Sequence, residues 1–503
     1  MNGALDGLLI GFQTAATWEN LLFCVAGVLL GTITGVLPGF GPVSAIAVLL
    51  PITYNLEPSG AIIMLAGIYI GAQYAGSTTA ILLGIPGEPS SVMTVIDGNK
   101  LAKLGRAGKA LGIAAVGSFI AGTISLMVMT LVAQPLGQLA IKIQPPEMFC
   151  LVVMALFTVA VISGESLLKG VAMAALGLVV SLVGVDMLTG GPRLTLGIDH
   201  LLSGIPLIVL ALGIFAVREV VATLSEEKTG AISWKRKPGE RLLPTRKEVA
   251  YCAPSILRST GIGFTMGVLP GAGATTASFL SYGAEKAVSK RKDEIGNGSL
   301  IGVAAPESSN NAAATGAFIP LLTLGIPGSG STAMLLGAFI LVGVQPGPML
   351  FDENPDIAWS LIASFYVANV LLLVLNLPLV GVFVKILRTP YSLLSLIIVV
   401  CTMVGAFTAQ NALPDLWILL IVGIAAFYLS NGGYPMAPLL LGCVLGRMLD
   451  ETFRQSLALS TNGAGIFLQR PITLASIGVI VAICGFLLFK AITGKQRKIV
   501  ADE

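Results

Sequence analysis

Two carboxylates, Glu88 and Glu307, lie inside strongly apolar sequence, each leading into short polar side chains: Glu88-Pro-Ser90-Ser91 and Glu307-Ser-Ser-Asn310-Asn311. A third polar cluster, Gln73-Tyr-Ala-Gly-Ser77-Thr78-Thr79, precedes the first of them. Buried without partners, such groups are costly, and a cavity that receives a polar cargo or an ion removes the cost. A carboxylate at membrane depth suits a coupling cation, whereas the same residue near an interface starts a helix. The hydroxyls of Thr79 and Thr276 add oxygen ligands without net charge, so Thr79, Thr276, Glu88 and Glu307 form the candidate set for Na⁺ or H⁺ coupling.

These clusters sit beside a duplicated pattern. Gly35-Val-Leu-Pro-Gly39-Phe-Gly41 returns as Gly267-Val-Leu-Pro-Gly271-Ala-Gly273, and Gly84-Ile-Pro-Gly87 returns as Gly325-Ile-Pro-Gly328. The offsets are 232 and 241 positions, so the order is kept and one connecting loop has grown. Glycine and proline break a membrane helix and free backbone N–H and C=O groups. Such groups survive at membrane depth only against protein or a water-filled cavity, so paired breaks point to a midplane binding site. A helix resuming after a break offers unpaired N–H groups and the positive end of its dipole, which suits a carboxylate or phosphate. The candidate substrate-binding residues are therefore Gly39, Gly41, Ser44, Ser77, Thr78, Ser90 and Ser91 in the first copy, and Gly271, Gly273, Thr275, Asn310, Asn311, Gly328, Ser331 and Thr332 in the second.

The elements that position them are membrane helices. Of 503 residues 55% are hydrophobic and 11% charged, mean hydropathy is +0.90, and soluble domains carry roughly 25% charged residues. Apolar runs between Leu21 and Phe489 predict an all-α polytopic membrane protein of roughly 11–12 transmembrane segments, some broken or re-entrant. Residues 1–20 are expected to form an interfacial segment, 21–224 a first repeat, 225–250 a cytoplasmic linker, 251–490 a second repeat and 491–503 a cytoplasmic tail. Residues 21–53 should make two passes, or one pass plus a re-entrant hairpin. The 60 glycines read as close-packing contacts between helices, for example at 112–117 and 172–177.

Basic loops at 100–109, 228–247, 286–292, 385–388 and 490–498 belong to the cytoplasmic side. Equivalent loops of the two copies carry opposite bias: 54–59 has no Lys or Arg where 286–292 is basic, and 100–109 is basic where 351–356 is acidic. This predicts an inverted-topology repeat, with Arg447, Arg454 and Arg470 left on the outer side. Net charge of +3 gives no basis for a nucleic-acid partner. The six cysteines show no CxxC spacing, which argues against a disulfide framework or zinc site. His200, beside Asp199, reads as an interfacial structural residue. Glu165 and Lys169 read as a helix-end pair. No nucleotide-binding or hydrolase motif is present, so neither ATP-driven transport nor enzyme activity is expected. No cofactor beyond the coupling ion is expected.

On Gly35-Val-Leu-Pro-Gly-Phe-Gly41, Gly84-Ile-Pro-Gly87, Asp97-Gly98, Gly267-Val-Leu-Pro-Gly-Ala-Gly273, Pro306-Glu-Ser-Ser-Asn-Asn311, Gln345-Pro-Gly-Pro348, Glu353-Asn-Pro355 and Ala437-Pro-Leu-Leu-Leu-Gly442, the chain resembles the large membrane subunit of the tripartite tricarboxylate transporters, the TctA family. The resemblance implies a bacterial inner-membrane permease for citrate-like carboxylates, driven by a cation gradient. It also implies a small four-helix membrane subunit and a periplasmic solute-binding protein as partners. An anion channel would use the same dipole ends, and whether the permease forms a homodimer is left open. No Lys or Arg is evident at membrane depth to balance a tricarboxylate, so co-bound cations, a protonated cargo or several dipole ends are expected to compensate. Alternating access, with the four broken elements moving as an elevator, is the expected mechanism.

Overall fold

In the computed structural model the apolar runs form helices. It describes residues 2–37, 39–162, 166–186, 188–225, 241–386 and 391–492. Pro38, Glu165, the central part of the linker and the C-terminal tail from 493 lie outside the described residues, so the Glu165–Lys169 pair does too.

The first half runs α1 (Asn2–Ala15), α2 (Trp18–Gly35), α3 (Pro42–Leu49), α4 (Pro58–Leu83), α5 (Val92–Lys103), α6 (Ala107–Ala140), α7 (Pro145–Ile162), α8 (Leu167–Ser181), α9 (Leu207–Ala211) and α10 (Arg218–Ser225). The second runs α11 (Arg246–Val268), α12 (Gly273–Val288), α13 (Leu300–Gly316), α14 (Phe318–Leu324), α15 (Gly330–Leu341), α16 (Leu350–Glu353), α17 (Pro355–Ile386), α18 (Tyr391–Gln410), α19 (Pro414–Asn431), α20 (Met436–Leu459) and α21 (Pro471–Ile492). Among the described residues, six helices are long and apolar enough to cross a membrane, joined by shorter apolar helices. The chain is an all-α, multi-pass membrane protein.

After α2 the chain breaks, and α3 has eight residues continued by the four-residue 3₁₀ turn Leu50–Thr53, a rise of about 20 Å against ~30 Å of hydrocarbon, shorter than a second full pass requires. The span expected near 204–223 forms one continuous helical run over 207–225, in which α9 and α10 are joined through a six-residue π-helical segment, Leu212–Val217. Helix α1 lies along α17, because Gly7 and Gly11 let it approach Trp359 closely; a Cβ on Gly11 would stand 2.2 Å from the Trp359 carbonyl oxygen.

The duplication is visible in packing. In the first repeat Gly31 and Gly35 of α2 press on α4, where a Cβ would meet the carbonyl oxygens of Ile68 at 2.2 Å and Ala72 at 2.5 Å. In the second, Gly263 and Gly267 of α11 press on α13, against the Ser309 and Ala313 carbonyls at 2.2 and 2.3 Å. Small residues let backbones meet where lipid supplies no hydrophobic drive between helices. Gly112 and Gly177, in the two glycine-alanine runs, pack likewise against the carbonyls of Leu242 and Leu439.

Three loops flagged as basic or adjoining basic stretches meet on one face. Lys100 donates to the Gly296 carbonyl at 2.6 Å, Lys109 pairs with Glu248 at 2.6 Å, and Asp97 accepts from the N–H groups of Gly296, Gly298 and Ser299. Elsewhere Arg193 bonds Asp450 at 2.9 Å, Arg454 bonds Asp450 at 3.0 Å and Asp186 at 3.2 Å, and Arg470 bonds Glu147 at 2.8 Å. The arginines expected outside thus include two, Arg454 and Arg470, held by acidic partners. The Leu188 N–H, with the flanking arginines, keeps the Asp186 carboxylate below its ordinary range. His200 pairs with Asp415 of α19 at 2.8 Å rather than with Asp199.

Candidate functional site

Both breaks are closed by backbone geometry that glycine permits. Gly39 and Gly271 adopt φ of +80° and +88°, a region where other residues are strained. The helices that resume are α3, starting at Pro42, and α12, starting at Gly273. The Gly-Ile-Pro-Gly elements behave alike: α4 ends at Gly84 and α14 at Gly325, both left-handed. Each then enters a capping box, in which the cap side chain and the third residue bond each other's backbone N–H. The pairs are Glu88 with Ser91 and Ser329 with Thr332, and both members are offset by 241 positions. Gly41 lies against the Glu88 side chain, 3.4 Å from a Cβ position, and Gly273 against Ser329 at 3.8 Å.

These elements wall one cavity of about 380 Å³. Of the sequence-derived candidates, Gly39, Gly41, Ser44, Glu88, Ser90, Gly271, Gly273, Thr275, Thr276 and Ser331 line it. The others stand outside its lining. Asn310 donates to Glu88 at 3.2 Å and Asn311 to Ser118 at 2.8 Å. Ser77 donates to Glu307 at 2.5 Å and Thr79 to the Gly76 carbonyl at 2.9 Å. Thr78 is buried, Ser91 and Thr332 are occupied in the capping boxes, and the Gly328 carbonyl accepts from the Gly271 N–H at 2.9 Å.

The two carboxylates are both buried but in different settings. Glu88 faces the cavity and accepts from Gln73 Nε2 at 2.6 Å, from Asn310 and from Ser90. Glu307 lies outside the lining, accepting from Ser77 and Thr94. A bond between Gln73 and Asn310 joins the two repeats at this layer. All the hydrogen-bond donors found for either carboxylate are neutral groups, so charge here needs a cation or a proton. Three oxygen-bearing cavity groups, Glu88, Thr276 and Ser90, could contribute to holding a cation.

One basic residue, which the candidate set did not include, stands in the cavity wall. Arg218 lines the cavity, at the junction of the π segment and α10. Tyr69, Gln73 and Ser329 also line it, outside the candidate set. A sequence signal for Arg218 existed: Gly204-x-Pro206-x₆-Gly213-x₄-Arg218 returns 229 positions later as Gly433-x-Pro435-x₆-Gly442-x₄-Arg447. Arg218 read alone as an ordinary charge ending an apolar run.

Two relatives match. An Agrobacterium vitis protein named "Uncharacterized 52.8 kDa protein in TAR-I ttuC' 3'region" is 43% identical over 503 residues, all of both chains. A second from that organism, "Uncharacterized protein in TAR-II ttuC' 3'region", is 42% identical over 241 residues, 48% of this chain and all of its own length. No solved structure matches. Residues 21–441 match the family described as "Tripartite tricarboxylate transporter TctA family", which takes in both breaks, both capping boxes and the cavity wall from Gly39 to Leu441. This chain belongs to that TctA family and is therefore a transporter subunit that works with partner subunits.

Proposed function

We propose that the chain is the permease of a binding-protein-dependent secondary transporter that imports citrate-like di- and tricarboxylates across the bacterial inner membrane. The observation that carries this is one cavity walled by both Pro-Gly breaks and by the starts of the helices that resume after them. Convergent helix N-termini hold an anion without a dedicated cage of arginines. The serine and threonine hydroxyls at Ser44, Thr275 and Ser331 add neutral donors.

Energy comes from a Na⁺ or H⁺ gradient, and Glu88 with Thr276 is the place where cation and cargo meet. Glu307, with Ser77 and Thr94, stands behind it as a second carboxylate that a proton or cation neutralises. A small four-helix membrane subunit completes the membrane part, and a periplasmic solute-binding protein delivers the cargo. The two repeats enter the membrane in opposite senses, and the unit carrying the four broken elements moves against the remaining helices.

The test is uptake of radiolabelled citrate into vesicles containing this chain, its membrane partner and the binding protein, under an imposed Na⁺ or pH gradient. Saturable uptake that needs one gradient and is lost in Thr276→Val is expected. Gradient-independent flux of many anions would make the chain a channel.

A further inference from the structure

Arg218 introduces a permanent positive charge into a cavity whose wall combines apolar side chains such as Val43, Phe215 and Leu441 with hydroxyls, the Gln73 amide and the Glu88 carboxylate. Its Nη2 donates to Glu219 at 2.7 Å and its Nη1 to Ser430 at 2.9 Å. Its Nε is buried without a hydrogen-bond partner. A guanidinium is a planar fork matched to carboxylate geometry, so a buried N–H left without an acceptor marks capacity for one more anion. The competing carboxylate is close at hand: Glu219 lies against the first break, where a Cβ on Gly39 would be 2.3 Å from its Oε1. The π segment just before Arg218 is the kind of local irregularity that concentrates at functional sites.

We propose that Arg218 anchors a second carboxylate of the cargo and that Glu219 holds its place when the site is empty. One cargo carboxylate takes the helix N-termini at Gly41 and Gly273. The other forks onto Arg218, displacing the Glu219 contact, so the permease selects anions with at least two carboxylates over monocarboxylates. The anchor comes from one repeat alone. Its counterpart Arg447 lines a separate small cleft with Asp186 and Asp450.

The inference rests on the carboxylate-carrier reading, and the test separates the two. Equilibrium binding of radiolabelled succinate, citrate and butyrate would be measured on the full chain in lipid nanodiscs, for the wild type, Arg218→Gln, Arg218→Lys and Glu219→Gln. The wild type is expected to prefer succinate and citrate over butyrate by about tenfold or more, the scale of a site whose buried polar group is otherwise unpaired. Arg218→Gln should collapse that preference, Arg218→Lys should restore part of it, and Glu219→Gln should raise succinate affinity relative to butyrate. A preference surviving in Arg218→Gln, or butyrate bound as tightly as succinate by the wild type, overturns the anchor and leaves the carrier standing. An unchanged ratio in Glu219→Gln overturns the exchange. No saturable binding of any of the three by the wild type overturns the anchor, and the carrier reading is decided separately by vesicle uptake with the partner subunits present.

Discussion

At positions 241 residues apart the segment after the Gly-Ile-Pro-Gly break opens on a capping box at Glu88 in the first repeat, where a 3₁₀ turn leads into α5, and at Ser329 in the second, where α15 starts directly. Conversely Glu307 of α13 stands where α4 has Ala66. Backbone frame and glycine contacts are shared by the two repeats, but the buried carboxylates Glu88 and Glu307 are not, and Arg218 lines the cavity while its counterpart Arg447 lines another cleft. The duplicated parts are those that backbone physics demands: a left-handed glycine, a cap, a close crossing. Among the parts that differ are the two buried carboxylates and the arginine that lines the cavity, none of which both repeats place at the site. Duplication supplied a frame, and divergence at a few side chains supplied the chemistry.

The breaks offer the sharpest contrast. A Cβ at Gly271 would stand 2.7 Å from the Val159 backbone nitrogen, whereas at Gly39 it would meet the movable tip of Glu219 at 2.3 Å. Both positions have positive φ, so valine is strained at either. Gly271→Val should cut citrate uptake by about 10²-fold at unchanged membrane abundance, the cost of misplacing a site by ~1 Å. Gly39→Val should cost less. Equal losses would mean that strain alone matters, and normal uptake by both would remove the breaks from the site.

If the frame is truly shared, damage to it should be equal in the two halves. Gly31→Ala and Gly263→Ala each push a methyl to 2.2 Å from a carbonyl oxygen of the partner helix. Each should destabilise the protein by about 1–3 kcal/mol, read as loss of thermal stability in detergent. Clearly unequal losses would show that one repeat, not the pair, carries the packing.

Making the first repeat copy the second tests the chemistry. Glu88→Ser removes the acceptor for Gln73, Asn310 and Ser90. Buried donors left without their acceptor predict a fall of about tenfold or more in gradient-dependent uptake. The decisive readout is the gradient dependence itself. A slower carrier that still follows the imposed gradient would place coupling elsewhere, with Glu307 next to be replaced.

The sequence made the breaks legible because Pro-Gly inside an apolar run interrupts a membrane helix and strands its backbone groups, and it made Glu88, Thr276 and Ser331 legible as their flanks. It did not distinguish lining residues from their supports. Asn310 and Gln73 are 237 positions apart, and no local pattern announces that one turns to the other instead of to the cavity. Nor did it separate Arg218 from an ordinary charge ending a span, since that needs either the π segment's geometry or comparison with the Arg447 copy. Helix lengths were similarly readable only in part: the short α3 limb and the π segment inside the 204–223 span depend on packing against neighbouring helices, which no local pattern shows.

The smallest expected effect concerns how the repeats are tied at the basic face. Lys109 follows the first repeat's α5, and Glu248 caps α11 of the second through a box with Thr245. The Lys109 ammonium, then the Thr245 backbone N–H, lowers the Glu248 carboxyl from 4.5 to about 2. A carboxyl depressed on folding stabilises above its unfolded value and loses that contribution as pH falls through the folded one. The loss therefore spans pH 4.5 down to about 2. Solvent screening holds the pair to ~0.5 kcal/mol. Wild type minus Glu248→Gln in thermal stability should shrink across that window, and Lys109→Ala should move the shrinkage to higher pH. A difference that is flat with pH would show that the tie is made by the Thr245 cap and owes nothing to the charge pair.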